Sequence, residues 1–166
     1  MAAEVKDGRR MPTLFEVMDD DDFLPELRQS NILLLNFLDR EKMIELLKLV
    51  IEEPKFRDTS QRCFRLPFVA TEALMVKNEH IIGMLFDDKE YTLLNQLFGF
   101  VSVPEDVQLN STLCGYFNKI ISFWLLHRPE DMVLFLASNP KPLRDMIEHI
   151  YLNSSIVDLL VRICCV

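Results

Sequence analysis

Glycine is scarce, with four in 166 residues. So few disfavour a turn-rich β fold, because tight turns lean on glycine for positive φ. Basic charge is short as well: 18 Lys and Arg stand against 26 Asp and Glu, a net charge of −8. That balance weighs against nucleic acid and anionic membrane surfaces as main partners, since both bind through accumulated positive charge. No apolar stretch reaches the roughly 20 residues of a membrane span. Residues 1–11 are charged and hold no apolar signal core. The four cysteines, Cys63, Cys114, Cys164 and Cys165, show no CxxC spacing, and no histidine lies close enough in sequence to suggest zinc. Free buried thiols in a reducing compartment are expected.

Catalytic signatures are absent too. The sequence has no HExxH, no GxSxG, no Gly-rich phosphate loop and no P-loop lysine. His80, His127 and His149 fall on separate predicted helices or at their ends. His149 follows Asp145 by four residues, the spacing of a surface pair. Neither catalysis nor a cofactor or metal is expected. An enzyme on a helical fold would need titratable groups converging in one pocket.

What the chain does contain is helix-forming sequence. Leu, Met, Glu and Lys are plentiful. Residues 1–12 read as a flexible tail. Thr13 with Glu16 fits a capping box. One aspartate of the run 19–22 should cap a second helix, which tolerates Pro25 in its first turn and extends to Leu38. Asp39 caps a third helix ending before Pro54. Thr59 or Ser60 starts another, with a kink or break near Leu66 because Pro67 lies inside it, and an end near Val76. Asn78 caps a short helix through Phe86, and residues 90–100 form the next.

Asn110 or Ser111 opens the longest apolar helix, to His127. Leu113, Phe117, Ile120 and Trp124 form its seam, which places Trp124 in the core. Pro129 starts a short helix to Ala137. Pro140 and Pro142 open one with Leu143, Met146, Ile147, Ile150 and Tyr151 on a face. Ser155 with Asp158 gives a second capping box. The sequons at Asn110 and Asn153 read as helix caps. No segment alternates with period two, so no strands are predicted, and eight or nine helices are. Thr59, Asn110 and Ser154 each open a group, 51 and 44 residues apart. Armadillo and HEAT units run about 40–47 residues.

Residues 156–166 carry only two charges, Asp158 and Arg162, and are otherwise apolar nearly all round. A surface helix needs only one apolar stripe. The helix therefore calls for cover on more than one side, as at the start of a longer helical stack. Leu160 and Ile163 are taken as positions that tests of this cover would alter.

Two polar clusters are candidate protein-interface sites. The run Asp19 to Asp22 lacks the Asp-x-Asp-x-Asp-Gly…Glu spacing of a calcium loop. It is either negative charge at a helix N-terminus, worth about 0.3–1 kcal/mol per group, or a patch (Asp20, Asp21, Asp22) that docks a basic partner. Arg62 and Arg65 flank Phe64; they are either solvated helix arginines or a display for an acidic partner.

Several segments resemble one family in order and spacing. Residues 13–24, Thr-Leu-Phe-Glu-Val-Met-Asp-Asp-Asp-Asp-Phe-Leu, resemble the opening of the SAPS-domain proteins, the regulatory subunits of protein phosphatase 6. There a Thr-Leu, an acidic stretch and an apolar pair precede a helix ending Leu-x-x-Phe-Leu, here Leu34-Leu35-Asn36-Phe37-Leu38. Phe64-Arg65-Leu66-Pro67, then Ala70 and Glu72-Ala73-Leu74, resembles the family's aromatic-basic-aromatic-Pro segment. Tyr116-Phe117-Asn118-Lys119-Ile120-Ile121 resembles its Phe-Phe-Ser-Lys segment. Ile150, and then Asp158-Leu159-Leu160-Val161-Arg162-Ile163-Cys164-Cys165-Val166, resembles its Leu-Leu-Arg-Leu-Val run. The family's opening Phe-Trp motif and short helix have no counterpart in residues 1–12.

The resemblance implies that 13–166 is the amino-terminal portion of a helical-repeat SAPS-like domain. The expected fold is all-α, a fragment of an armadillo/HEAT-like α-solenoid. The implied function is non-catalytic: binding the catalytic subunit of a protein phosphatase 6-type Ser/Thr phosphatase and directing it to substrates. Substrate or ankyrin-type adaptor proteins are further implied partners. Location would be cytoplasmic, with a nuclear pool also compatible. The alternative is a helical-repeat adaptor that binds peptides or proteins without a phosphatase.

Overall fold

Side-chain caps open six of the eleven described α-helices. In the computed structural model, residues 5–6, 9–54, 60–104, 106–151 and 153–165 are described. Thr13 caps α1 (Leu14–Met18): its Oγ1 accepts from Glu16 N at 3.3 Å, and Glu16 returns a bond from Thr13 N at 2.8 Å. Asp39 accepts from Lys42 N at 2.9 Å to open α4 (Arg40–Ile51). Asn78 opens α6 (Glu79–Phe86), and Asn110 opens α8 (Ser111–His127). Between these lie α5 (Leu66–Leu74) and α7 (Thr92–Phe98), the latter continued by a 3-10 turn, Gly99–Val101. Pro129 stands in the first turn of α9 (Pro129–Ser138), and α10 (Lys141–Glu148) follows Pro140.

Several expectations fail in instructive ways. The single helix expected up to Leu38 is two, α2 (Phe23–Arg28) and α3 (Ile32–Phe37). Ser30 takes φ 59 between them, and Asn31 then caps α3 through Leu33 N at 2.9 Å. The described residues hold eleven α-helices in all, not eight or nine. They also hold two short antiparallel strands, Val5–Lys6 and Arg9–Arg10, paired Val5 with Arg10 and Lys6 with Arg9. Period-two alternation cannot register in strands this short.

Pro67 acts as expected. A π-helical turn, Gln61–Arg65, gives way to α5 at Leu66, so the proline lies in the first turn of α5, where its missing N–H is tolerated. Thr59, expected as one of two starts for this helix, lies outside the described residues. Helix α7 starts at Thr92 rather than Glu90, because Tyr91 adopts φ 48. Asp88 instead receives Glu90 N at 3.2 Å and Thr92 N at 3.1 Å. The capping box at Ser155 is displaced: Asn153 caps α11 (Ser154–Cys164), accepting from Ser155 N at 3.0 Å. Both sequon asparagines are helix caps. Helix α10 stops at Glu148, leaving Ile147 exposed and Tyr151 92% exposed rather than on a buried face.

Helices α4, α5 and α8 form the centre and pack on one another; α4 also packs on α7, and α8 on α11. The seam of α8 is fully inside: Leu113, Phe117, Ile120, Ile121, Trp124 and Leu125 are buried. Trp124 meets Phe86 edge-on at 5.6 Å and donates Nε1–H to the Leu74 carbonyl at 3.1 Å, which satisfies an otherwise open carbonyl at the end of α5.

The repeat expected from helix order appears as bonds between successive layers. Asn118 reaches the Ser155 carbonyl 37 residues away, His80 the Leu38 carbonyl 42 away, His149 the Val103 carbonyl 46 away, and Trp124 the Leu74 carbonyl 50 away. Contact with the neighbouring layer is what defines a solenoid. The fold is an all-α helical solenoid fragment.

Candidate protein interface

Arg65 leaves the π-turn pointing at the end of α1. Its Nη1 lies 2.5 Å from Asp19 Oδ1, and its Nη2 donates to the Asp19 carbonyl at 2.8 Å and to Asp21 Oδ1 at 3.1 Å. The acidic run and the arginine pair, read from sequence as separate displays, therefore meet each other at Asp21 and Arg65. Asp20 accepts from Asp22 N at 3.0 Å. Asp22 occupies the N-cap position of α2, but its carboxylate makes no cap bond there. The run thus places charge at the helix start without capping α2 through a side chain. Arg62, on the same π-turn, is half-buried.

The charged line continues along α5 onto α8. Glu72 takes Arg28 at 3.3 Å on one oxygen and Lys119 at 2.6 Å on the other. Lys119 Nζ also sits 5.7 Å from the centroid of the Phe68 ring, within cation–π range. Phe64, in the π-turn that precedes α5, is 68% exposed. Solvent-exposed ion pairs contribute only about 0–1 kcal/mol each. This face therefore fixes the alignment of layers more than it stabilises the fold, and it presents two aromatic rings among paired charges. Aromatic rings and arginine are the residue types enriched where proteins bind proteins. Helical spacing of Phe64 and Phe68 was the available signal for this face; the pairings 44 to 47 residues apart had none.

The titratable groups are spread through the molecule in structural roles. His149 is buried and hydrogen-bonded to the Val103 carbonyl at 3.1 Å, so it does not form the expected surface pair with Asp145. Asp145 instead holds Lys141 at 2.5 Å and bonds Ser102, tying α10 to the 3-10 turn. Burial disfavours its charge, but the bonds from Lys141 and Ser102 outweigh that and keep the carboxyl below the usual range. Among the described residues, no group of three His, Cys, Asp or Glu side chains could hold a metal ion. No helix there is long and apolar enough to cross a membrane. The cysteines divide. Cys114 is buried, Cys63 half-buried, and Cys164 and Cys165 exposed, so the expectation of uniformly buried thiols fails on α11.

A stack of helical layers with a charged and aromatic face, held together by ties from layer to layer, defines a protein of the solenoid binding class. No family model matches the chain, and no solved structure does. Curated proteins do. Over 152 residues, 91% of the chain, it is 33% identical to serine/threonine-protein phosphatase 6 regulatory subunit 2 of Mus musculus. Over the same length it is 32% identical to regulatory subunit 3-B of Xenopus laevis and 29% to regulatory subunit 1 of Homo sapiens. It spans 16% of the mouse relative and 17% of the other two, about a sixth of their length. Its homologues over these 152 residues are all phosphatase 6 regulatory subunits, the SAPS-domain family.

Proposed function

We propose that this chain is a non-catalytic regulatory element that binds the catalytic subunit of a protein phosphatase 6-type Ser/Thr phosphatase and directs it to substrates. The observation that carries this reading is the 33% identity, across 91% of the chain, to a protein named as a phosphatase 6 regulatory subunit. Residues 13–166 act as the amino-terminal portion of a helical-repeat domain. A stack of layers is a fairly rigid surface. Holding an active site and a substrate on one such surface raises their effective concentration without any chemistry from the scaffold. Substrate proteins or ankyrin-type adaptors would occupy other parts of the surface, in the cytoplasm or nucleus. Nucleic acid and anionic membranes are poor partners for a chain of net charge −8.

The interface we favour is the junction of α1, α2 and α5. Asp20, Asp21 and Asp22 supply negative potential there, and Arg65 braces it from the π-turn before α5, with Arg62 on the same turn. The reading is tested by affinity capture with the tagged chain followed by mass spectrometry. Recovery of a phosphatase 6 catalytic subunit is expected. A helical-repeat adaptor that works without a phosphatase would recover other proteins and no catalytic subunit.

A further inference from the structure

Helices α1 to α3 leave an open groove whose floor is apolar. Val17 of α1, Phe23 of α2, and Leu33, Leu34 and Phe37 of α3 line it. Leu33 is 80% exposed, and Ile32 beside it 72%. Among the described residues, the charged ones lining the groove are Glu16, Asp20, Asp22 and Glu26, all acidic. Two of the four also serve local structure: Glu16 closes the α1 cap, and Glu26 accepts from Asn31 Nδ2 at 2.6 Å. The bond from the neutral Asn31 amide leaves the charge of Glu26 in place.

We propose that this groove docks a short amphipathic segment of a partner protein, with apolar side chains on one face and Lys or Arg flanking them. The argument is charge complementarity around an apolar floor. Side chains at helical spacing can rest on Leu33, Leu34 and Phe37 while cations meet Asp20, Asp22 and Glu26. A second copy presenting this same face is a poor occupant, because it would set the acidic rim against another acidic rim. The proposal rests on the reading of this protein as a binding platform, and it does not require that the segment belong to a phosphatase.

The test is fluorescence anisotropy on the full chain with a labelled peptide of about 18 residues, long enough for helix, built from Leu and Lys at helical spacing. Its counterpart carries Glu at every Lys. The Lys peptide should bind at least about tenfold more tightly than the Glu peptide, with affinity falling as salt rises. Leu33→Asp changes an exposed side chain, so folding should survive, and circular dichroism verifies it; binding should weaken about tenfold. Asp20→Asn, Asp22→Asn and Glu26→Gln together should weaken binding and flatten its salt dependence. Val161→Asp, on α11, should change nothing. Equal binding of both peptides would overturn the proposal, as would unaltered binding by the Leu33 variant or equal loss in the Val161 variant. Binding that appears only when residues 1–10 are removed would assign the groove to those residues, and release of a dimer by the peptide would assign it to a second copy; either result overturns a partner segment. Phosphatase capture by the unaltered chain is scored separately, so failure of the groove and failure of the phosphatase reading are distinguishable.

Discussion

Trp124 was legible in the sequence because it continues a helical seam, and the structure places it fully inside with Phe86 and Phe123 edge-on. Trp124→Ala should lower stability by about 3–5 kcal/mol, measured by denaturant unfolding, since the cavity cannot close fully. A melt unchanged from the parent would contradict this. The cysteines were not legible, because thiols carry no periodic signature of burial. Burial pushes the Cys114 thiol up to about 11, only partly offset by the Asn153 Nδ2 contact at 2.9 Å. Little thiolate exists there at neutral pH. Native alkylation near pH 8 should therefore modify Cys164 and Cys165 first and leave Cys114 intact until the protein unfolds, as peptide mapping would show. Early modification of Cys114 would mean that α8 opens readily.

Elements were legible where a cap or a proline marks them. Thr13, Asp39, Asn78, Asn110 and Pro129 each stand where the sequence placed a helix start. The break between α2 and α3 was hidden, because it rests on a left-handed serine rather than on glycine or proline. The strand pair Val5–Lys6 and Arg9–Arg10 was hidden by its shortness. The face of α11 was half legible. Leu160 and Ile163, taken from sequence as test positions, are half-buried against the core, while Val157 and Val161 face outward with Cys164 and Cys165. Ile150 and Tyr151 extend this apolar surface. Fully burying one such side chain is worth about 1.5–3 kcal/mol, so the isolated chain should self-associate at high concentration. Light scattering should show this for the parent and less of it for Val157→Glu with Val161→Glu. A clean monomer from the parent would contradict it. The acidic run makes a separate prediction. Asp20, Asp21 and Asp22 changed together to Asn should slow association with a basic partner in low salt, read by stopped-flow fluorescence, while Asn keeps the local hydrogen bonds. Equal association rates would reduce the run to a local helix-end feature.

At the scale of the whole molecule, the spacing of helix groups gave the layered architecture, since each layer bonds the next at about one repeat length. Surface chemistry was less legible. Asp21 and Arg65 meet across 44 residues, and Glu72 and Lys119 across 47, pairings set by stacking rather than by any local pattern. The central claim is that this stack is a regulatory surface for a phosphatase catalytic subunit. Sedimentation velocity on a mixture of the purified chain and a purified phosphatase 6 catalytic subunit tests it most directly. The account predicts a single faster species containing both proteins, and a catalytic subunit that sediments unchanged at every mixing ratio would contradict it.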